Sequence, residues 1–329
     1  MISIIIIGHN EGWRLTLCLK SILVIINKFR NFDFEVIYVD SNSTDDSIER
    51  TKIIQNVKVF KLEDNMNAAI ARNVGAKESK GSVLYFVDGD MELNPDFLSF
   101  ALNEKGELLY DLLTGHLDDF FYNYNHKFLE NCPRTYTSEI PKEIQLLRTN
   151  GGIFIIKRDI WNLVLGMNNK FKINEDIDLS IRLSNKKIFT KRLPYLIAKH
   201  HTIDYRNEKR MWRNLWAGFG LYPGLILRKH FFNIDVIKNV LRSQYTAIFL
   251  MLIILINIFK INIISSTSLI YLIALVLRVI FNSRNMKAES IRVLYFIKGI
   301  INQFFLDVSF WVGFFMFYPM NKIEIYTKV

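Results

Sequence analysis

Cysteine is nearly absent: Cys18 and Cys132 lie far apart, with no Cys-x-x-Cys and no histidine pair beside either. That excludes a disulfide framework and gives no zinc site. No zinc-finger spacing, RNA-binding signature or single-strand stacking platform is present, so the sequence offers nucleic acid no recognisable module. The amino terminus "MISIIIIGHN" has neither the charged leader nor the longer apolar region of a secretory signal, which makes it a first strand and puts the amino-terminal part in the cytoplasm. What is present is apolar and basic. Half of the 329 residues are hydrophobic and the formal net charge is +10, a balance that points to anionic ligands or an anionic membrane surface. The length permits one large domain or two modest ones.

From Met1 to about Asp88, short apolar runs alternate with helical periodicity: strands over 2–7, 34–39, 57–62 and 83–87, helices over 13–26, 46–55 and 67–78. This βαβ repetition predicts an α/β fold with a mostly parallel sheet. Ligands of open α/β sheets lie outside the carboxyl ends of the strands, and those ends carry "GHNE" (8–11), "DSNSTDD" (40–46) and "DGDME" (88–92). The stretch to Arg148 is weakly patterned; "NGGIFIIKRDIW" (150–161) reads as a strand and a helix. A further helix starts near Asn174 in "NEDIDLSIRL", with Ile177, Ile181 and Leu183 inward, an Asp178–Arg182 pair, and Glu175 and Asp176 in its first turn.

Composition changes near Tyr245. Apolar runs over 245–259, 268–281 and 293–319 read as membrane segments, the first two forming a hairpin if each borrows flanking residues to reach the roughly 20 needed for ~30 Å of hydrocarbon. Arg228, Lys229 and Arg242 before the hairpin and Arg284, Lys287 and Arg292 after it put those flanks in the cytoplasm. Lys298 and Asp307 interrupt the last run, which is either an interfacial helix leading into a span or one long tilted span. The expected organisation is a catalytic domain over 1–204, amphipathic interfacial or linker helices over 205–243, a transmembrane region of two to three helices over 244–320, and a tail over 321–329.

Asp88 and Asp90 are two apart on an extended segment and so share a face. Two hard carboxylates at a strand tip suit Mg²⁺ or Mn²⁺, which would bridge a diphosphate; alone, Asp-Gly-Asp is equally a solvated turn. The blocks "SIIIIGHNEGWRLTLCLKSI", "VIYVDSNSTDDS", "NAAIARNVGAKESKGSVLYFVDGDMELNPDFL", "GGIFIIKRDIW" and "NEDIDLSIRL" occur in order, and over roughly residues 2–205 the sequence resembles the family 2 glycosyltransferases of GT-A fold.

The resemblance implies a nucleotide-diphosphate sugar donor, in the first instance a UDP-sugar, and a divalent cation. It matches Asp40 to the acid at the nucleotide base, Glu11 to the nucleoside pocket and Arg72 to the arginine near the donor. Asp90 matches the metal ligand, Asp88 the acid that acts on ribose or through water at the same ion, and Asp176 the general base. His200 or His201 matches a histidine at the metal or diphosphate. Gly152, Glu175, Arg206, Arg210 and Trp212 fall on the acceptor and membrane side. Local readings stand beside these: a capping or turn acid for Asp40, a first-turn charge for Glu11, a surface ion pair for Arg72, dipole complements for Glu175 and Asp176.

The second acid of the usual "VDDGSTD" is Ser41 here and its glycine is Asn42, which tolerates the left-handed conformation. The Gln-x-x-Arg-Trp of processive synthases is missing, which favours transfer of one sugar per encounter. In 205–216, Arg206, Lys209, Arg210 and Arg213 make one cationic helix face and Tyr205, Trp212 and Trp216 an aromatic one, as suits a helix in a membrane interface or one packed on the domain. The implied function is inverting transfer to a membrane-held acceptor, a polyprenyl-diphosphate-linked saccharide of a bacterial surface polysaccharide, at the cytoplasmic membrane. A polyprenyl-phosphate monosaccharide synthase and a non-catalytic nucleotide-binding scaffold remain as alternatives.

Overall fold

A computed structural model describes residues 1–64, 66–133, 142–204, 208–258, 264–283 and 293–329, side chains at 208–211, 264–267, 282–283 and 293–295 excepted. The chain divides into two compact units, Met1–Asp204 with Met320–Val329, and Tyr205–Pro319.

The first unit runs β1 (Ile2–Gly8), α1 (Trp13–Lys28), β2 (Phe34–Asp40), α2 (Ser47–Arg50), β3 (Lys58–Leu62), α3 (Ala68–Glu78), β4 (Val83–Asp88), β5 (Met91–Leu93), α4 (Phe97–Ala101), β6 (Leu112–Tyr122), β7 (Phe128–Pro133), β8 (Gln145–Leu147), β9 (Phe154–Lys157), α5 (Arg158–Leu163), α6 (Glu175–Ser184) and β10 (Thr190–Ile203). Every residue of β1 is buried, as a central strand covered on both faces requires. α1 buries Leu15, Cys18, Leu19, Ile22 and Ile25 at helical spacing against one face of the sheet. α3 lies so close to the other face that a Cβ on Gly75 would come within 2.2 Å of Ile5 Cγ2.

β3, β2, β1 and β4 are parallel in that order. Beyond β4 the sheet is mixed: β9 is antiparallel to β4 and β6, and β5 is antiparallel to β10. The continuous parallel run is interrupted there because β9 enters after a long excursion through β6, β7 and β8 and not from a helical crossover. The weakly patterned stretch thus holds the long strand β6, and β10, also unassigned from sequence, runs parallel to it. The helix expected over 46–55 shrinks to α2 and a 3₁₀ turn, Thr51–Ile53. Thr51 donates its hydroxyl to the Ile48 carbonyl, and the β-branched residues around it disfavour continuing the helix. In α6, Leu179, Ile181 and Leu183 are buried while Ile177 is only half-buried; Asp178 is fully buried and ion-paired to Arg182 at 2.8 Å.

The second unit contains α7 (Glu208–Trp216), α8 (Tyr222–Lys229), α9 (Ile234–Ser243), α10 (Tyr245–Ile258), α11 (Ile264–Ser283) and α12 (Val293–Phe315). α12 runs unbroken through Lys298 and Asp307. Buried Asp307 accepts hydrogen bonds from Thr246 Oγ1 (2.9 Å), Gln303 Nε2 (2.8 Å) and the Tyr271 hydroxyl (3.0 Å), which links α10, α11 and α12. Among the described residues no single helix is long and apolar enough to cross a membrane; α9 and α10, bent by 86°, qualify only as a pair. The 14 residues described as α10 cover about 21 Å at 1.5 Å per residue, so this helix alone does not reach the length of a span.

The expected tail instead adds β11 (Tyr326–Lys328), antiparallel to β3 at the sheet edge of the first unit. Tyr326 donates to Glu78 at 2.7 Å and sets its ring against Phe60. Replacing Gly75 with Ala is expected to cost about 1–3 kcal/mol, because stiff, buried Ile5 has no room to yield; a lower denaturation midpoint for G75A than for wild type checks it.

Candidate active site

β1, β2 and β4 end side by side at Gly8, Asp40 and Asp88, and the loops beyond them enclose a cleft of about 470 Å³. His9, Glu11, Ser41, Asn67, Asp88 and Asp90 supply its polar lining. Gly89 allows the tip of β4 to sit under β1: its N–H donates to the Ile7 carbonyl at 2.8 Å, and a Cβ there would lie 3.0 Å from Glu11. Asp-Gly-Asp is a turn, and one whose two acids face a cleft.

β10 decides between the adjacent histidines, because successive strand residues point to opposite faces. His200 Nε2 lies 3.1 Å from Asp90 Oδ2 and Nδ1 lies 2.7 Å from Asp119 Oδ1. His201 is turned away and buried, 2.9 Å from both Glu92 Oε2 and the Tyr122 hydroxyl. Asp119 fixes the His200 ring as a carboxylate fixes a metal-binding histidine, leaving Nε2 directed at Asp90. With Nε2 protonated the ring is a cation between two carboxylates; without that proton it is a ligand aimed at the same point. Burial opposes the Asp90 charge, but the His200 contact and charge, with Arg14, hold its carboxyl below the usual range.

The second Asp90 oxygen, Oδ1, is buried without a hydrogen-bond partner, a costly arrangement unless a cation sits there. Among the described residues no three His, Cys, Asp or Glu side chains are grouped to ligate an ion by themselves. Two ligands, Asp90 and His200, fit a Mg²⁺- or Mn²⁺-type ion that completes its shell with diphosphate oxygens and water.

Arg72 is 2% exposed, so it is no surface ion pair, and its guanidinium is already engaged. It bonds Asp88 Oδ1 (2.6 Å), Glu175 Oε1 (3.2 Å) and the Gly152 carbonyl (3.2 Å). Arg72 thus holds the acids that surround it, beside the cleft that Asp88 lines. Burial raises the pKa of both Asp88 and Glu175, with Arg72 opposing in each case. Gly152 is the fourth member, since a Cβ there would fall 2.1 Å from Asp88 Oδ2.

Asp40 fits its local reading as a turn acid. It is fully buried and accepts from the Tyr38 hydroxyl (3.0 Å), Ser43 N–H (2.7 Å) and Ser43 Oγ (2.6 Å); Ser41 takes the lining position. Asn42 adopts φ 60° in that turn. Glu11 pairs with Arg14 at 2.8 Å, yet burial and the Asp90 charge push its carboxyl up to about 8. Asp176 stands in the first turn of α6, half-buried, with Oδ1 accepting from Ile177 N–H at 2.8 Å; its charge is felt at Arg72. Arg206 lies outside the described residues, as does the side chain of Arg210. Trp212 is half-buried in α7, and Trp216 is exposed.

Asp119 and Ser41 are the functional residues that sequence reasoning missed. Ser41 was signalled by its place beside Asp40. Asp119 lies 81 positions from His200 in a stretch without pattern, and no local signal marks it.

Residues 3–162 match the model of the family described as Glycosyl transferase family 2, and this segment is a family 2 glycosyltransferase domain. An uncharacterized glycosyltransferase of Haemophilus influenzae is 29% identical over 220 residues, covering 64% of this chain and 70% of that protein. Glycosyltransferase AglE of Haloferax volcanii is 25% identical over 37% of this chain and 41% of its own length. The poly(ribitol-phosphate) beta-N-acetylglucosaminyltransferase TarP of Staphylococcus aureus is 30% identical over 35% and 36%. The chain thus spans less than half of the last two. A crystal structure of GalNAc-T7 with UDP, GalNAc and Mn²⁺ is a distant likeness, with TM-score 0.47 and 18% identity over 63% of this chain and 44% of that one.

Two outcomes follow from this geometry. Gly152→Ala must displace Asp88 from Arg72, so titration calorimetry should show donor affinity at least about tenfold weaker, the loss of roughly one charge-assisted hydrogen bond. A carboxyl raised to about 8 favours the native state below its unfolded value near 4.5 and loses that contribution as pH rises through 8. The metal-free protein should therefore lose thermal stability between pH 5 and 8, and Glu11→Gln should flatten the curve.

Proposed function

We propose that this glycosyltransferase is an inverting enzyme that moves a sugar from a UDP-sugar in the cleft to a hydroxyl of a lipid-linked saccharide at the cytoplasmic membrane. The observation that carries the reading is the Asp119–His200–Asp90 array at the strand ends, beside the unpartnered Asp90 oxygen. Asp90 and His200 would hold a divalent cation, which when bound neutralises the charge that develops on the departing diphosphate. Asp88, tied through one oxygen to Arg72, turns the other toward Gly152 at the cleft. Asp176 takes the proton of the acceptor hydroxyl as its oxygen bonds to the anomeric carbon and the bond to the diphosphate breaks; a single displacement inverts that centre.

Support for a membrane-held acceptor comes from the second unit. Leu252, Leu255 and Ile258 on α10 and Leu272, Ile273 and Leu277 on α11 are exposed, more apolar surface than water favours. Exposed Lys229 and Arg242 flank the apolar helices and suit anionic headgroups on the cytoplasmic side.

Full-length protein in detergent, titrated with nucleotide sugars with and without Mn²⁺ or Mg²⁺, should show a metal-dependent rise in Tm with one donor. Asp90→Asn should lose the metal dependence. Asp176→Asn should keep the donor shift while turnover falls by about 10²–10⁴, the usual worth of a general base. Donor binding with no transfer to any lipid-linked acceptor would make the chain a nucleotide-binding scaffold, and turnover intact in D176N would remove the base.

A further inference from the structure

The corner between α8 and α9 leaves apolar surface that sugar transfer does not use. α8 closes at Lys229 and α9 opens at Ile234. Asn233 caps α9, its Oδ1 accepting from the N–H groups of Asp235 (3.0 Å) and Val236 (3.2 Å). The cap fixes the bend at which Phe231 and Phe232 stand. Phe231 reaches Phe314 of α12, with ring centroids 6.1 Å apart, yet remains 48% exposed, and Phe232 is 97% exposed.

α9 continues this surface. At 3.6 residues per turn its side chains fall into four adjacent strips. Val236 and Val240 are buried within the second unit. Beside them run half-buried Ile237 and exposed Leu241 and Ile234. Lys238 and Arg242, both exposed, come next, followed by Asp235, Asn239 and Ser243. A helix that only covers a core passes from its buried strip directly to polar residues. α9 instead has a second apolar strip that its own unit leaves open, and cations form the border of that strip. With Lys229 at the corner, residues 229–242 hold three lysine or arginine cations against one acid, Asp235.

Aromatic and aliphatic side chains edged by cations complement an anionic lipid surface, where rings sit below the headgroups and cations meet the phosphates. The direction of the next helix agrees. α10 leaves α9 at 86° and exposes Leu252, Leu255 and Ile258. If α10 enters hydrocarbon, a helix perpendicular to it lies along the surface.

We propose that α9 lies in the plane of an anionic lipid surface, with Phe231 and Phe232 inserted beneath the headgroups and Lys229, Lys238 and Arg242 at the phosphates. The assignment rests on the membrane reading of the second unit. It makes α9 a surface anchor and not the first half of a bent span.

The test places one nitroxide label at a time on the full chain in phosphatidylcholine vesicles, with or without phosphatidylglycerol. Labels go on Phe232→Cys, Asn239→Cys and Leu255→Cys, each with exposed Cys132 changed to Ser and buried Cys18 kept. Collisions with oxygen and with a water-soluble nickel chelate report depth. The label at 232 should meet oxygen more than nickel, the label at 239 the reverse, and the label at 255 should lie deepest. Phosphatidylglycerol should draw the label at 232 deeper, and Lys238→Gln with Arg242→Gln should abolish that response. The proposal is overturned, with the membrane reading intact, if 232 is as aqueous as 239 while 255 stays in hydrocarbon. It falls together with that reading if 255 is aqueous as well. A label at 232 shielded from both reagents marks a protein contact and also overturns it, as does an undiminished phosphatidylglycerol response in the double variant.

Discussion

A single buried guanidinium organises the catalytic side of this protein. Arg72 reaches from α3 to the tip of β4, to the backbone leading into β9 and to the start of α6, segments that are otherwise unrelated in the chain. A charge this enclosed is tolerable only while its partners remain in place, because removing one strands the others in a poorly solvating interior. Gly152 is the geometric condition for the clasp, since the space beside Asp88 admits no side chain. The positions of Asp88 and of the α6 turn with Asp176 are thus parts of one arrangement.

Around that clasp the charges divide by role. Asp88 and Glu175 are matched to Arg72, and Asp40 is consumed by Tyr38 and Ser43 in shaping the loop after β2. Among the described residues one Asp90 oxygen stays unmatched, and Glu11 feels the Asp90 charge. An ion-binding site differs from an ion-pair network in that surplus of negative charge, and the surplus lies where β1 and β4 end.

The half of the fold built by βαβ repetition was legible because strand and helix periods alternate cleanly there, and the strand-end acids followed from it. The GT-A character came from the order of several motif blocks. What could not be read depends on distant partners. Nothing local distinguishes an arginine that faces a ligand from one sealed against Glu175, 103 positions away. Asp40 sits at the expected strand end, but Ser43 decides which way its carboxylate turns. His200 and His201 become distinguishable only once β10 is known to be a strand, and β10, like β6, mixes polar and apolar residues because its two faces meet different surroundings. The apolar runs beyond Tyr245 were plain as composition, whereas their helix lengths and the Asp307 network were not.

β11 also bears on how the protein is made. Residues 205–319 leave the first unit and return to it, so they form an insertion closed at both ends by the same body. The outer edge of β3 receives its partner from Tyr326–Lys328, on the far side of that insertion. During synthesis the catalytic sheet must wait with an open edge while the whole apolar insertion is translated, and an open edge is a template for pairing with another chain. Synthesis of residues 320–329 therefore acts as a closing step for that edge.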